Sequence, residues 1–256
     1  MNVAMETLRR IEPSAHLYPW ISEIRVGVST AGQVYRRTRL PSGEAVLLFR
    51  ASGATGELTV SGPLRQARYK TGRTDPFFVR VSIRPGRARQ VLGYPLCELA
   101  DRITPLEDIW NTFGSTLCSR LMEEGPDRAA ALVEDTLSKV IGSKDPGTAP
   151  IVSRIVQAMD KNTRGTVDEF ADAAGLSPRQ MRRLFHLELG IGPKRYLRIA
   201  RLRRLLTAVH ANVPWVNLAL DAGFYDQAHL IADFRELLNA TPYAFQTART
   251  VYKSCH

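Results

Sequence analysis

A chain of 256 residues, 44% hydrophobic and 23% charged, has the composition of a soluble globular protein and is long enough for two domains with separate cores. No apolar run approaches the roughly 18 residues that span a membrane, and Met1 to Glu6 lack the pattern of a secretion signal, so no membrane partner and a cytoplasmic location are expected. The net charge of +10 admits nucleic acid, acidic membranes or acidic proteins as partners, and Cys97, Cys118 and Cys255 are too scattered for a disulfide framework or a zinc site.

Residues 20 to 85 read as β-rich. Ile24 to Ser29, Gln33 to Leu40, Ala45 to Arg50, Leu58 to Ser61 and Phe77 to Ile83 are short β-branched and aromatic runs. Turn signals separate them, at Ala31-Gly32, Pro41-Ser42-Gly43, Ser52-Gly53, Ser61-Gly62-Pro63 and Thr71-Gly72. That spacing predicts a small sandwich or barrel. Trp20, Tyr35, Phe49 and Phe78 are expected in its core rather than around a ligand, and Arg84 and Arg87 at its surface. After Pro85-Gly86 the period changes. Arg87 to Leu92 and Pro105 to Met122 read as helices, with Pro105 in a first turn and Glu107 and Asp108 near the positive end.

A further helix is predicted from Pro126 to Ile141, stopped by Gly142. Ala129, Val133, Thr136, Leu137 and Val140 form its apolar face, which suits packing on the chain's own sheet better than a dimer seam. Residues 143–150 hold two prolines and a glycine and little to bury, which marks a linker. The boundaries are therefore a β-rich domain over 1–142, the linker, and an all-helical domain over 151–247. The fold class is α+β.

The helical part repeats itself. Ala171 and Gly175 recur 48 residues later as Ala219 and Gly223, and after one inserted residue Phe185 and Pro193 recur as Phe234 and Pro242. Each copy reads as helix, glycine turn, helix, over about 167–189 and 214–238, with a long helix from Lys194 to His210 between them. Ser177 and Asp226 are the expected N-caps of the second helix in each unit. Glycine supplies the positive φ that such a turn needs. In the first unit Met181, Leu184, Phe185 and Leu189 form a face to bury. Arg179, Arg182, Arg183 and His186 fall at i, i+3, i+4 and i+7 and share the opposite face. Guanidinium groups bond guanine edges and phosphates in bidentate fashion, so this face suits a major groove. On an isolated helix such charges would read as simple solvation; the preceding turn and the duplication favour the groove.

These motifs resemble those of the AraC/XylS family of transcriptional regulators. The first set is Ala171-x3-Gly175-Leu176-Ser177-Pro178-Arg179-x-Met181-x-Arg183-Leu184-Phe185 followed by Gly190-Ile191-Gly192-Pro193-x2-Tyr196-Leu197. The second is Ala219-x3-Gly223-Phe224-x-Asp226-Gln227-x-His229-Leu230-x3-Phe234-x7-Pro242-x2-Phe245. The resemblance implies double-stranded DNA as partner, with both recognition helices entering adjacent major grooves about 34 Å apart. It also allows RNA polymerase, a small-molecule effector and a second copy of the chain as partners. It implies no catalytic residue, cofactor or metal.

The residues expected at DNA are Ser177, Arg179, Gln180, Arg182, Arg183 and His186 in the first unit, and Asp226, Gln227, Ala228, His229 and Arg235 in the second. Lys194, Arg195 and Arg198 are candidates for phosphate contacts. The copies are not equal. The counterparts of Arg179, Arg182, Arg183 and His186 are Ala228, Ile231, Ala232 and Arg235, and the first three carry no hydrogen-bonding side chain. The first helix is therefore expected to supply most base readout, and the second to position the domain. The front half contains a single histidine, His16, in its first 150 residues and no cysteine cluster, against a metal enzyme or a DNA-repair protein. Ile83 to Ala88 and Pro105 to Trp110 are similar to segments of one group of these regulators with a divergent sensor domain, which implies sensing or dimerisation.

Overall fold

The computed structural model describes residues 5–30, 32–142, 144, 151–208 and 215–245. The front half forms eight strands: β1 (Met5–Ile11), β2 (Ile21–Ser29), β3 (Val34–Arg39), β4 (Ala45–Ser52), β5 (Thr55–Ser61), β6 (Arg68–Arg73), β7 (Phe77–Ile83) and β8 (Ile103–Pro105). Six make one antiparallel sheet in the order β1-β2-β7-β4-β5-β8, and β3 pairs with β6 in a separate ribbon. The short helices α1 (Ala88–Leu92), α2 (Leu96–Leu99) and α3 (Glu107–Trp110) lead into α4 (Thr112–Ile141).

Alternation along the central strands sends Ile24, Val26, Leu47, Phe49, Val79 and Val81 to one face, where all are buried. Leu117, Leu121, Ala129, Val133 and Leu137 of α4 cover that face and complete a single core with Trp20 and Trp110. The apolar side of α4 is thus used on its own sheet, as expected. Gly125, with φ 70° and ψ −169°, breaks α4 just before Pro126, which starts the second half. This kink lets one helix follow the twisted sheet.

The α+β class, with a β-rich front domain followed by helices and a helical back half, is as expected; within the front domain a helix rather than a second sheet covers the apolar face. The Thr71-Gly72 pair lies inside β6 instead of in a turn, with Thr71 opposite Arg36 and Gly72 opposite Tyr35. Pro105 closes β8 opposite Thr59, and the helix begins only at Glu107, because Leu106 N–H is drawn back to Leu58 O. Trp20 and Phe49 are core residues, whereas Tyr35 and Phe78 are only half-buried. The Phe78 ring lies over Gly27, its cross-strand partner, where a Cβ would sit 2.2 Å from the ring. Arg87 is not at the surface: it is 4% exposed, with its guanidinium 4.8 Å from the centre of the Trp20 ring and Nη1 donating to Gln90. Burial lowers its pKa from the ordinary arginine value. Cys97 and Cys118 are partly buried thiols, and Cys255 lies outside the described residues.

The back half is helical: α5 (Ile151–Lys161), α6 (Val167–Ala173), α7 (Pro178–Leu189), α8 (Pro193–Ala208), α9 (Trp215–Ala222) and α10 (Gln227–Leu238). Met159, Phe185, Tyr196, Leu202 and Phe234 centre a second core, joined from the front half by Ala67. Residues 143 and 145–150 of the expected linker lie outside the described residues, as do His210 and Pro214.

Candidate nucleic-acid interface

The two helix-turn-helix units share their turns bond for bond. Leu176 N–H donates to Ala171 O at 2.9 Å, and 48 residues on Phe224 N–H donates to Ala219 O at 2.9 Å. Gly175 N–H reaches Asp172 O, and Gly223 N–H reaches the equivalent Leu220 O. Both glycines take a positive φ, 66° and 94°. At Gly223 a Cβ would also meet Thr163 O at 2.9 Å, so a side chain there is excluded twice over.

In the first unit Thr166 and Glu169 form a reciprocal capping box at the start of α6. Ser177 and Gln180 form another at the start of α7, with Pro178 in the first helical position. Gly190 ends α7 in the left-handed conformation. Met181, Phe185 and Leu189 are fully buried and Leu184 half-buried, so the opposite face points to solvent. Arg179, Arg182, Arg183 and His186 are all exposed, and none of the four side chains makes a hydrogen bond or ion pair with another described residue. The cap also shows what Ser177 and Gln180 do: the hydroxyl and the side-chain carbonyl hold the backbone, leaving the Gln180 amide NH2 to face outward.

The second unit uses its polar residues differently. Asp226 caps α10, accepting from His229 N–H at 2.7 Å. His229 has both ring nitrogens turned to protein groups: Tyr225 N–H lies 3.4 Å from Nδ1, and Nε2 lies 3.7 Å from Asp233. Asp233, 2% exposed, is held by Arg198 at 2.8 Å. Arg198 also binds Glu236, which Arg195 approaches at 3.4 Å. The Arg198 hydrogen bond holds the Glu236 carboxyl below its ordinary pKa. Outward, α10 presents Gln227, Ala228, Ala232 and Arg235. Ile231, together with Gln227 and Arg235, lines an apolar groove of ≈ 250 Å³ with Leu220, Phe224, Pro242 and Tyr243.

Arginines that the sequence spreads around α8 meet protein groups. Arg195 donates to Arg65 O, Arg201 to Thr163 O and Arg204 to Lys161 O, while Arg203 lies 3.8 Å from Glu44. Arg195 and Arg198, expected at phosphates, are paired here with acidic residues of α10. Lys194 remains exposed. The loop at Thr163 ties the units together, since its hydroxyl also donates to Ala222 O at 2.8 Å.

Contacts with the front half meet both recognition helices at their C-terminal ends. Arg89 of α1 pairs with Glu188 at 2.6 Å, and Gly190 is pressed so close to α2 that a Cβ would sit 2.4 Å from Leu96 O. At α10, Gln66 donates to Glu236 O, Ala67 N–H to Leu237 O and the Tyr69 hydroxyl to Leu238 O. Those donors satisfy carbonyls that a helix end leaves unpaired. Sequence reasoning missed this set, because the partners lie more than 90 residues apart.

A helix-turn-helix domain family matches residues 170–248. Over that stretch the chain is similar to AraC/XylS-type activators. The chain is 26% identical over 153 residues to the XylDLEGF operon transcriptional activator 1 of Pseudomonas putida, covering 57% of this chain and 43% of that protein. The HTH-type transcriptional regulator GlxA of Rhizobium meliloti (strain 1021) is 25% identical over 171 residues, 62% of this chain and 52% of that one. The chain thus spans about half the length of the curated relatives it matches. Among solved structures, ToxT from Vibrio cholerae O395 aligns with a TM-score of 0.41 and 11% identity, over 84% of this chain and 96% of that one. No described helix is long and apolar enough to cross a membrane.

Proposed function

We propose that this chain is a sequence-specific transcriptional regulator that grips duplex DNA with both helix-turn-helix units and reads bases chiefly with α7. The observation that carries the reading is the outward cluster of Arg179, Arg182, Arg183 and His186, opposite a fully buried apolar face. Gln180 joins that set through its outward amide. The second unit contributes Gln227, Ala228 and Arg235 at the groove, with His229 and Asp226 serving helix geometry, and Lys194 supplies a phosphate contact. A role at a promoter, with RNA polymerase as partner, fits a chain similar to an operon transcriptional activator.

The front domain is the regulatory part of this reading. Its support is the docking of α1, α2 and the 66–69 segment on the ends of both recognition helices. A small molecule that shifts the sheet against α4 would change the relation between the two units. The space between sheet and helix is small and apolar: a void of ≈ 10 Å³ lies among Leu47, Phe49, Val79, Leu121 and Val133. Such a ligand must open the core, which makes an apolar effector the fitting class. Residues 1–142 as sensor, 143–150 as linker and 151–247 as reader are the proposed division.

The test is fluorescence anisotropy of the full chain on a selected site and on a scrambled duplex at physiological salt. A preference of about 10³ or more is expected of a specific regulator. Equal binding to the two duplexes overturns the proposal. Thermal melting with candidate apolar metabolites tests the sensor, because a ligand of the native state raises the midpoint.

A further inference from the structure

The β3–β6 ribbon stands apart from the six-stranded sheet. Over residues 33–40 and 67–73 it carries Arg36, Arg37, Arg39, Arg68, Lys70 and Arg73, and no acidic residue. Its register sets Arg37 directly opposite Lys70 and Arg39 directly opposite Arg68. Residues two apart along a strand share a face, so these four positions fall on one side of the ribbon as two adjacent pairs of like charge. Directly opposed like charges destabilise a strand pair. The pairing persists here with little burial: five of the six β6 residues are exposed, including Arg68, Lys70 and Arg73. Arg68 and Arg73 donate to the backbone carbonyls of Asp101 and Gly32, which are neutral acceptors. Arg39 donates to Ser61 Oγ, and Asp75, two residues beyond β6, is the acid that Lys70 acts on. The exposed Arg68, Lys70 and Arg73 still make β6 a basic strand suited to an anionic surface outside the chain.

The position of the ribbon says which surface. Tyr69, the second residue of β6, bonds the last carbonyl of α10, and Gln66 and Ala67 just before it bond the two preceding ones. The ribbon therefore starts where the second recognition helix ends. Six residues at about 3.4 Å per residue make it about 20 Å long, close to the roughly 18 Å of the twelve-residue α10. A recognition helix contacts base edges through its N-terminal residues, so its C-terminal end emerges beside the phosphate wall of the groove. There a basic ribbon meets one phosphate charge per ≈ 1.7 Å of duplex axis.

We propose that the β3–β6 ribbon is a third DNA-contacting element, which binds phosphates of the duplex just beyond the site held by α10. The inference rests on the DNA-binding reading above. It assigns a nucleic-acid contact to the front domain and gives a purpose to the weak base-reading face of α10. The second unit places the ribbon on flanking DNA, and backbone attraction there adds grip without adding sequence preference.

The test compares the full chain with the double variant Arg68→Glu, Lys70→Glu, and with Lys70→Arg. Each is titrated on the selected core duplex and on one extended by about one helical turn on the α10 side, between roughly 50 and 200 mM salt. Two ribbon contacts make the wild-type salt slope on the extended duplex steeper by about 2, since each neutralised phosphate contributes about 0.9. That slope corresponds to an extra loss of roughly tenfold across the salt range. The charge-reversed variant loses this increment, keeps core binding and melts like the wild type, and Lys70→Arg retains the increment. Core binding with no increment in the wild type, or an increment that survives charge reversal, overturns the proposal. So does ribbon-dependent binding to phosphatidylserine vesicles without an effect on extended DNA. Failure of the wild type on the core duplex would instead strike the DNA-binding reading itself.

Discussion

Helices α7 and α10 share a turn, a length of twelve residues and a side-chain N-cap, yet use their polar side chains in opposite directions. In α7 the polar residues face out and apolar packing holds the helix, through Met181, Phe185 and Leu189. In α10 much of the polar content faces in: Asp226 caps, His229 sits against Asp233, and Asp233 and Glu236 bind Arg198. A duplicated backbone motif therefore keeps its hydrogen bonds while its surfaces diverge. One copy is free to read, and the other is anchored.

The sharpest way to break the comparison is at the anchor. Arg198→Ala strands the buried Asp233 carboxylate, and removing one partner of a buried pair costs about 3–5 kcal/mol. Chemical denaturation should show a loss of that order, whereas Arg182→Ala, at an exposed position of α7, should change stability by less than about 0.5 kcal/mol. Equal stabilities of the two variants would show that α10 is not held by this pair. The same network has a pH signature. Glu236 has a folded pKa below its unfolded value, so its contribution is present above the ordinary glutamate range and is lost as pH falls through the depressed value. Wild-type stability should drop on acidification below pH about 4, and the drop should shrink in Glu236→Gln.

Next in size is Gly190→Ala. It adds a Cβ 2.4 Å from the Leu96 carbonyl at a φ of 65°, so α7 must move away from the front domain. A destabilisation of about 2 kcal/mol is expected from the left-handed strain and the clash together. Increased proteolysis between the domains would locate it. Ser177→Ala should cost about 1 kcal/mol through the lost cap, measured as a lower melting temperature. Smallest is Ala232→Ser on the outward face of α10, expected to alter both stability and DNA selectivity by less than about 0.5 kcal/mol.

Much of the reader was legible in residue order alone. The 48-residue repeat, the glycine turns, the caps at Ser177 and Asp226 and the buried face of α7 all depend on local spacing, and the structure places them as expected. What escaped depends on distant partners. Strand β6 has no apolar alternation, since its burial is nearly uniform exposure, and only pairing with β3 makes it a strand. Strand β1 and the three-residue β8 were missed for similar reasons, their register being set by β2 and β5. The partners of the α8 arginines were not legible because the carbonyls and carboxylates they meet lie 35 or more residues away. Arg87 looked exposed because nothing local announces that Trp20 will lie beneath it.

The most direct test of the unequal readers is in vitro selection of bound DNA by the wild type, Arg182→Ala and a triple variant Gln227→Ala, Ala228→Ser, Ala232→Ser. The account predicts that Arg182→Ala erases preference at one or two base pairs of one half-site, a loss of about 1–3 kcal/mol of discrimination there. The α10 variant should return a site nearly identical to that of the wild type. Selected sites that keep every preference in Arg182→Ala, or that lose as much in the α10 variant, would contradict it.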